Sequence, residues 1–544
     1  MTRARLVAAC AGALCLCALF ASRAAAHAVV VATSPVDGET VASAPGQVSI
    51  QFDEAVTAPV AAVRVFDGSG RRVDLGRVEL AGDGTTLVAP LGDDLATGTH
   101  IVTWRAVSAD GHPVKGAFVF HVGAPGAPVT ESFVASLLGS SRDRPFAMAG
   151  GAGRWVSYLA VLLACGGFFF VTVIDRTDRD PILILVRTAC VVGAFSAVTL
   201  VPLFAAESTG LGWSALRSAE AWQDALWSAV GVAALAAIAG FGMMLAALAL
   251  SNGTLGWLAI AALIGSQLVA GHTRTTEPAW LVWTADAVHI AAASVWLGGL
   301  AGLFVMWRRR QGRDVAAVAA TVGRFSTVAA WSVLALTIAG GTLAWTQVRA
   351  LHAATSTPYG WTLLVKIAVA GAVLSVATYN NRVLVPVIGG GGEAPAAWAR
   401  LGTTIRIEIV GLAAVLAVTA FLVNLQPAAE AAGVTGPYST FAPFGDGEVN
   451  VVVDPNRAGI NEIHLYFLTA GGSISDIDEG VTLELSLPSQ DVGPIVRTPQ
   501  LAGPGHFLHT GPELALGGEW QITVRHRASE FREDAATIAV VVNG

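Results

Sequence analysis

A chain of 544 residues that is 54% hydrophobic and 13% charged, with a mean hydropathy of +0.61, is too apolar for a soluble protein and too long for one domain. Its formal net charge of -7 is small for the length and no long basic run occurs, so nucleic acid is set aside as a partner. The expected environment is a lipid bilayer.

The first residues carry Arg3 and Arg5, then an apolar stretch from Leu6 to Phe20, then Ala24-Ala25-Ala26. Basic start, short apolar core and small-residue exit describe a secretory signal spanning 1–26, whose removal makes His27 the first residue of the mature chain. Three of the five cysteines leave with it. Cys165 and Cys190 remain inside apolar stretches, where a thiol behaves as a small hydrophobe, so neither a disulfide framework nor a cysteine metal site is expected.

Residues 27–123 alternate apolar and polar positions in short runs such as Val48-Ser49-Ile50-Gln51-Phe52 and Ile101-Val102-Thr103-Trp104, punctuated by Asp37-Gly38, Asp67-Gly68 and Asp83-Gly84. That pattern predicts an antiparallel β-sandwich. A linker is expected over 124–150.

Apolar stretches follow near 153–174, 185–206, 225–250, 255–271, 281–306, 327–346, 361–380 and 405–425. Each approaches the ~20 residues that cross a hydrocarbon core, the fourth being the shortest. An eight-helix membrane domain is therefore expected over 151–426. With residue 27 outside, the loops after spans one, three, five and seven face the cytoplasm. Arg176, Arg179, Arg308, Arg309, Arg310, Arg313, Arg324, Arg382 and Arg400 fall in those loops, whereas the outer loops hold Arg217, Arg274 and Arg349. Such a bias fits a multi-pass protein of the cytoplasmic membrane with both termini outside.

After a second linker at 427–445, strand patterning resumes over 446–544, in Glu448–Val453, Ile463–Phe467, Trp520–Val524 and Ala536–Val541. A second extracytoplasmic β-sandwich is expected there. The fold class is thus a mixed membrane protein: β-sandwich, eight-helix transmembrane bundle, β-sandwich.

Chemistry concentrates first at His27. A free N-terminal histidine offers its α-amine and ring Nδ1 to one metal, and such nitrogen donors suit Cu(II), which favours tetragonal N/O geometry and heads the divalent affinity order. Asp110 and His112 are separated by one residue in Ser108-Ala109-Asp110-Gly111-His112-Pro113. On a strand or its edge, positions i and i+2 face one side, which lets carboxylate and imidazole converge. Taken singly, Asp110 reads equally as an Asx-turn residue and His112 as a turn histidine. His100 and His121 read as ordinary strand residues.

His27, Ser34-Pro35, Phe52-Asp53-Glu54 and Trp104 through Pro113 closely resemble the periplasmic copper-binding protein family CopC, over essentially all of 27–123. The resemblance implies a Cu(II) site of His27, Asp110 and His112, with Glu54 beside it as in some members. No methionine lies between 27 and 123, so the methionine-rich Cu(I) site of some relatives is not expected.

Within the membrane domain, ionisable residues in apolar spans are functional candidates by default. Asp286 and His289 form an i, i+3 pair on one helical face, with Trp296 further along, while His272 and Glu207 close outer span ends. Lys366 is placed to snorkel or to pair with Asp286, and Arg406 with Glu408 reads as an inner-interface charge pair. Met243, Met244 and Met306 read as filler. Gly271-His272, Asp286 through Ala292, Trp296 through Leu300, Arg324-Phe325-Ser326, Tyr359-Gly360 with Lys366, and Asn381-Arg382 resemble the membrane copper-resistance family CopD. That resemblance implies copper movement across the cytoplasmic membrane, generally inward, with His272, Asp286 and His289 as the membrane site.

Copper ion, lipid and extracytoplasmic copper chaperones are the partners this reading entails. Two other readings stay open: a copper-dependent oxidative enzyme, since an N-terminal histidine chelate also resembles the centre of oxidative polysaccharide-cleaving enzymes, and a haem-bearing electron carrier with His272 and His289 as axial ligands. His464, His506, His509 and His526 near the C-terminus read as scattered surface histidines.

Overall fold

The computed structural model describes every residue except 1–27, 29, 93–94, 127–129, 178, 272–275, 277, 312, 350–352, 391–393, 429–437, 455, 470–474, 476, 504, 530–531 and 543–544. The expected signal, its cleavage point, His27 and His272 lie outside the described residues.

Eight strands build the N-terminal unit: β1 (Val30–Ser34), β2 (Thr40–Val41), β3 (Gln47–Phe52), β4 (Val63–Asp67), β5 (Glu79–Ala81), β6 (Thr86–Pro90), β7 (Gly98–Val107) and β8 (Pro113–Val122). They form two four-stranded sheets, ordered β1-β3-β6-β5 and β2-β8-β7-β4. Alternation does the work expected of it: in β3, Val48, Ile50 and Phe52 point into a core shared with Val63, Val65, Leu87, Val102 and Phe120. β7 departs from that rule. Eight of its ten residues are buried instead of every second one, because its outward face is covered by the helices that follow.

The stretch expected as a linker is largely helical. Thr130 caps a helix over Glu131–Leu138 through its hydroxyl, and Gly139, at φ 66, turns the chain directly into α1 (Ser140–Phe169). The sequence expectation missed this because Gly, Ser and Arg in 139–144 hide the helical start.

Then come α2 (Asp180–Thr209), α3 (Ala229–Ala249), α4 (Gly253–Leu268), α5 (Ala279–Arg308), α6 (Val315–Val348), α7 (Pro358–Tyr379) and α8 (Pro395–Leu422). A short helix, Ala219–Trp227, precedes α3; the extended backbone of Ser228 separates the two, and its hydroxyl caps α3. Among the described residues seven helices are long and apolar enough to cross a bilayer, the segments Asp143–Ile174, Asp180–Thr209, Ala229–Ala249, Ala279–Arg308, Val315–Val348, Pro358–Gly389 and Pro395–Leu422. The chain is a multi-pass membrane protein. The fourth expected span, α4, has 16 residues, about 24 Å of helix against a hydrocarbon core of about 30 Å.

Glycines set the closest helix crossing. A Cβ on Gly166 of α1 would lie 1.8 Å from the Ser294 carbonyl oxygen, and one on Gly298 of α5 would lie 2.6 Å from the Gly166 Cα. Small residues here let two backbones touch, as lipid-embedded helices require when no hydrophobic drive separates them from lipid. Cys165 and Cys190 are buried free thiols in the apolar core.

Contacts order the helix ends. The Arg154 guanidinium, midway along α1, donates to the Asn424 side chain just past α8. At the other end, Arg313 after α5 reaches Thr177 Oγ1 (3.1 Å) and Asp175 Oδ2 (3.5 Å) after α1.

Nine strands follow: β9 (Tyr438–Phe444), β10 (Gly447–Asp454), β11 (Asn461–Leu468), β12 (Val481–Leu487), β13 (Val492–Arg497), β14 (Gln500–Gly503), β15 (His506–Gly511), β16 (Gly518–Arg527) and β17 (Glu533–Val542). Sheets ordered β14-β15-β11-β10-β9 and β13-β12-β16-β17 share one apolar core around Trp520, Phe467 and Leu485.

Candidate metal site at the domain junction

The turn from β7 to β8 is the tight hairpin Ser108–His112. Gly111 adopts φ 92, which only glycine takes without strain, and its N–H donates to the Ser108 carbonyl (2.9 Å) while Ser108 N–H donates to the His112 carbonyl (3.0 Å). Asp110 Oδ1 accepts the His112 N–H (3.0 Å), an Asx turn, and Oδ2 lies 2.8 Å from the His112 ring Nδ1. The turn rather than strand alternation thus brings Asp110 and His112 together. An ionised carboxylate only accepts, so the ring proton sits on Nδ1 and the lone pair on Nε2.

Glu54, 4% exposed, accepts the Ala109 N–H at Oε1 (3.2 Å) and so props the turn from beneath; Asp110 itself is 1% exposed. The Ala28 N–H donates to Ser108 Oγ (3.0 Å), which ties the chain start to the same turn. His121 bonds Thr99 Oγ1 (3.0 Å), and His100 bonds the Ala96 carbonyl (2.9 Å) and stacks on Phe120, so both serve the sandwich. Burial pushes the proton affinity of His121 down.

This turn rests on the helix bundle. Gly271 N–H, between α4 and α5, donates to the Asp110 carbonyl (3.0 Å), and a Cβ at Gly111 would lie 3.1 Å from the Ala229 Cβ at the start of α3. Beside it, Arg105 of β7 meets Asp143 of α1 at 2.7 Å, with Lys115 on the same carboxylate oxygen at 2.8 Å. Arg105 also donates to the carbonyls of Leu138 and Glu207, and Arg64 donates to that of Thr209 (2.9 Å). Four cationic or polar hooks therefore pin the β4-β7-β8 face over the ends of α1 and α2.

Within the bundle, Asp286 and His289 share α5 as expected, and the Lys366 ammonium of α7 lies in electrostatic range of both. The His289 ring bonds the Leu336 backbone and packs against Gly340 of α6, where a Cβ would lie 3.0 Å from Cε1. Its Nδ1 is buried with no hydrogen-bond partner among the described residues.

Arg406 and Glu408 do not act as the pair expected. Arg406 lies over the Phe304 and Trp307 rings (5.4 and 5.7 Å), whereas buried Glu408 accepts from Asn380 Nδ2 (2.5 Å) and Trp296 Nε1 (3.4 Å). Positions two apart on α8 lie on different faces of the helix, so Arg406 turns to the Phe304 and Trp307 rings and Glu408 into the bundle. Asn380 was missed in the sequence; its signal was an amide in an apolar span, where α7 passes into a π-helical turn over Asn380–Leu384. Met244 and Met306 fill apolar clusters.

Among the described residues no group of three or more His, Cys, Asp or Glu is arranged to hold a metal ion; His27 and His272 fall outside them.

Fold and site together define a multi-pass membrane protein that carries an Asp/His-bearing β-sandwich docked on its helix ends. The CopC domain family matches residues 30–123, and the family Copper resistance protein D matches residues 319–422. Through its N-terminal domain the chain belongs to the copper resistance protein C (CopC) family, and it carries a CopC domain and a CopD domain in one polypeptide. It is 25% identical to Copper transport protein CutJ of Bacillus subtilis (strain 168), over 93% of this chain and 94% of that one. Copper resistance protein C of Xanthomonas campestris pv. juglandis is 33% identical, over 19% of this chain and 86% of its own. The crystal structure of CopC from Methylosinus trichosporium OB3b aligns at 28% identity with a TM-score of 0.17, covering 19% of this chain and 100% of that one. By name these relatives are copper resistance and transport proteins, not enzymes.

Proposed function

We propose that the N-terminal sandwich captures Cu(II) outside the cytoplasmic membrane and passes copper through the helix bundle into the cell. His27, freed by cleavage after Ala26, supplies amine and ring; His112 supplies Nε2; Asp110, whose carboxylate lies against that imidazole, supplies the anionic group; Glu54 holds the turn. Ala28, the residue that follows His27 in the chain, is bonded to Ser108 of the same turn.

One observation carries the reading: the Asp110 carbonyl accepts the Gly271 N–H, so the copper turn touches the residue preceding His272. Copper leaving the turn meets His272, then Asp286 and His289 on the next helix. Contact replaces diffusion by a high local concentration, the benefit of fusing donor and pathway. Gly111 against Ala229 and Asp110 against Gly271 put the start of α3 and the end of α4 on the sandwich side, and Arg154 with Asn424 returns α8 there. Eight passages, the fourth short, and two β-domains on one side follow. The arginine-rich loops joined by Arg313 and Asp175 lie opposite, and their positive charge supports reading that side as cytoplasmic. Extracytoplasmic copper chaperones are the suppliers this arrangement would accept.

The test is copper accumulation in cells expressing the full chain, its His112→Ala variant or its Asp286→Ala/His289→Ala variant. His112→Ala lowers both Cu(II) binding and accumulation; the double variant lowers accumulation alone. Accumulation unchanged in both variants overturns import.

A further inference from the structure

We propose that His464 and His506 form a second metal site, taking a divalent late transition-metal ion with cupric ion foremost, on the outward face of the C-terminal five-stranded sheet. The site goes beyond the copper route above and does not depend on it. Along β11, Glu462, His464 and Tyr466 alternate with buried Ile463, Leu465 and Phe467, so the three point outward together. β15 pairs antiparallel with β11, Tyr466 opposite His506 and His464 opposite Leu508, which sets the two imidazoles one diagonal step apart on that face.

His464 Nδ1 and His506 Nε2 lie 3.0 Å apart. With metal–nitrogen bonds of ~2.0 Å, that separation subtends about 97° at a shared metal. The angle is close to the right angle between neighbouring ligands of tetragonal Cu(II), the ion that heads the divalent affinity order. Solvent completes such a site, since the His464 side chain is 22% exposed.

The surroundings suit ligation. Glu462 Oε2 stands 3.6 Å from His464 Nε2, the nitrogen facing away from His506, an electrostatic rather than a hydrogen-bonding distance. A carboxylate there favours the proton on Nε2 and the lone pair on Nδ1, the usual outer support of a metal-bound histidine. Tyr466 stacks on His506 with ring centroids 4.2 Å apart and lies parallel to His464, which holds both rings in position. His509 faces the other way, 3.1 Å from Glu513, and takes no part.

The purified full chain in detergent, carrying His112→Ala to remove the N-terminal site, is equilibrated with cupric ion and its bound copper counted by dialysis. Adding His464→Ala/His506→Ala removes one copper per chain together with its nitrogen-ligand paramagnetic signal, and His509→Ala removes none. Glu462→Gln, which spares both ligands and the fold, weakens that copper by about 10–100-fold. Equal copper in the presence and absence of His464 and His506, or an affinity unmoved by Glu462→Gln, overturns the site and leaves the two rings as a hydrogen-bonded pair only.

Discussion

Arg105 of the sandwich and Asp143 of the first membrane helix meet at 2.7 Å, both almost wholly buried, and Lys115 shares the same carboxylate oxygen. One acid thus bridges two cations across the junction of two domains. Removing a single member of a buried pair leaves charge without compensation and costs about 3–5 kcal/mol. In Asp143→Ala the sandwich therefore loosens from the bundle: hydrogen exchange rises across Ser108–His112, and copper passage falls while Cu(II) binding persists. Unchanged exchange there would show that the other hooks suffice.

Glu54 props the Asp110–His112 turn, the proposed copper site, through the Ala109 N–H. Support of this kind is worth roughly 10–100-fold in metal affinity. Chelator competition on the full chain should find Glu54→Ala weakened by at least about tenfold and Glu54→Gln by less, because the amide keeps an accepting oxygen. Equal affinity in all three proteins refutes the role.

Gly298 and Gly265 make a matched comparison. A Cβ on Gly298 would stand 2.4 Å from the Leu162 carbonyl oxygen, backbone that cannot swing aside, whereas Gly265 has nothing within 4 Å. Gly298→Ala should abolish monodisperse protein in size-exclusion chromatography. Gly265→Ala should leave it intact or firmer by up to about 1 kcal/mol, from helix propensity alone.

His506 gives the C-terminal strands a pH dependence. Its folded-state pKa lies below the ordinary 6.5, through burial and then His464. Below 6.5 the unfolded chain takes the proton more readily than the folded one, so stability present above that value drains as pH falls. Exchange protection of Asn461–Leu468 and His506–Gly511, corrected for intrinsic rates, should drop from pH 7 toward pH 5. His506→Gln should flatten that drop.

Much of this molecule was legible in advance because the governing signals are local. Alternation in Val48–Phe52 and Ile463–Phe467 and long apolar runs each depend on neighbours a few residues away. So does the turn at Asp110-Gly111-His112, whose Asx geometry needs only the Asp110 carboxylate and the His112 N–H two residues on. The helical start at Ser140 escaped notice since its first turns are polar and glycine-flanked, and the brevity of α4 emerged only when caps at Asn252 and the end at Leu268 were seen.

By itself, then, the sequence determined the elements, their polarity pattern and the side chains offered as candidate metal ligands at the N-terminal turn, since period and side-chain chemistry belong to the chain. Tertiary structure alone decided that Asp110 touches Gly271, that Glu408 turns to Asn380 instead of Arg406, and that His464 finds His506. Those are pairings between distant segments, chosen by how buried surfaces pack and which polar groups must find partners once water is excluded.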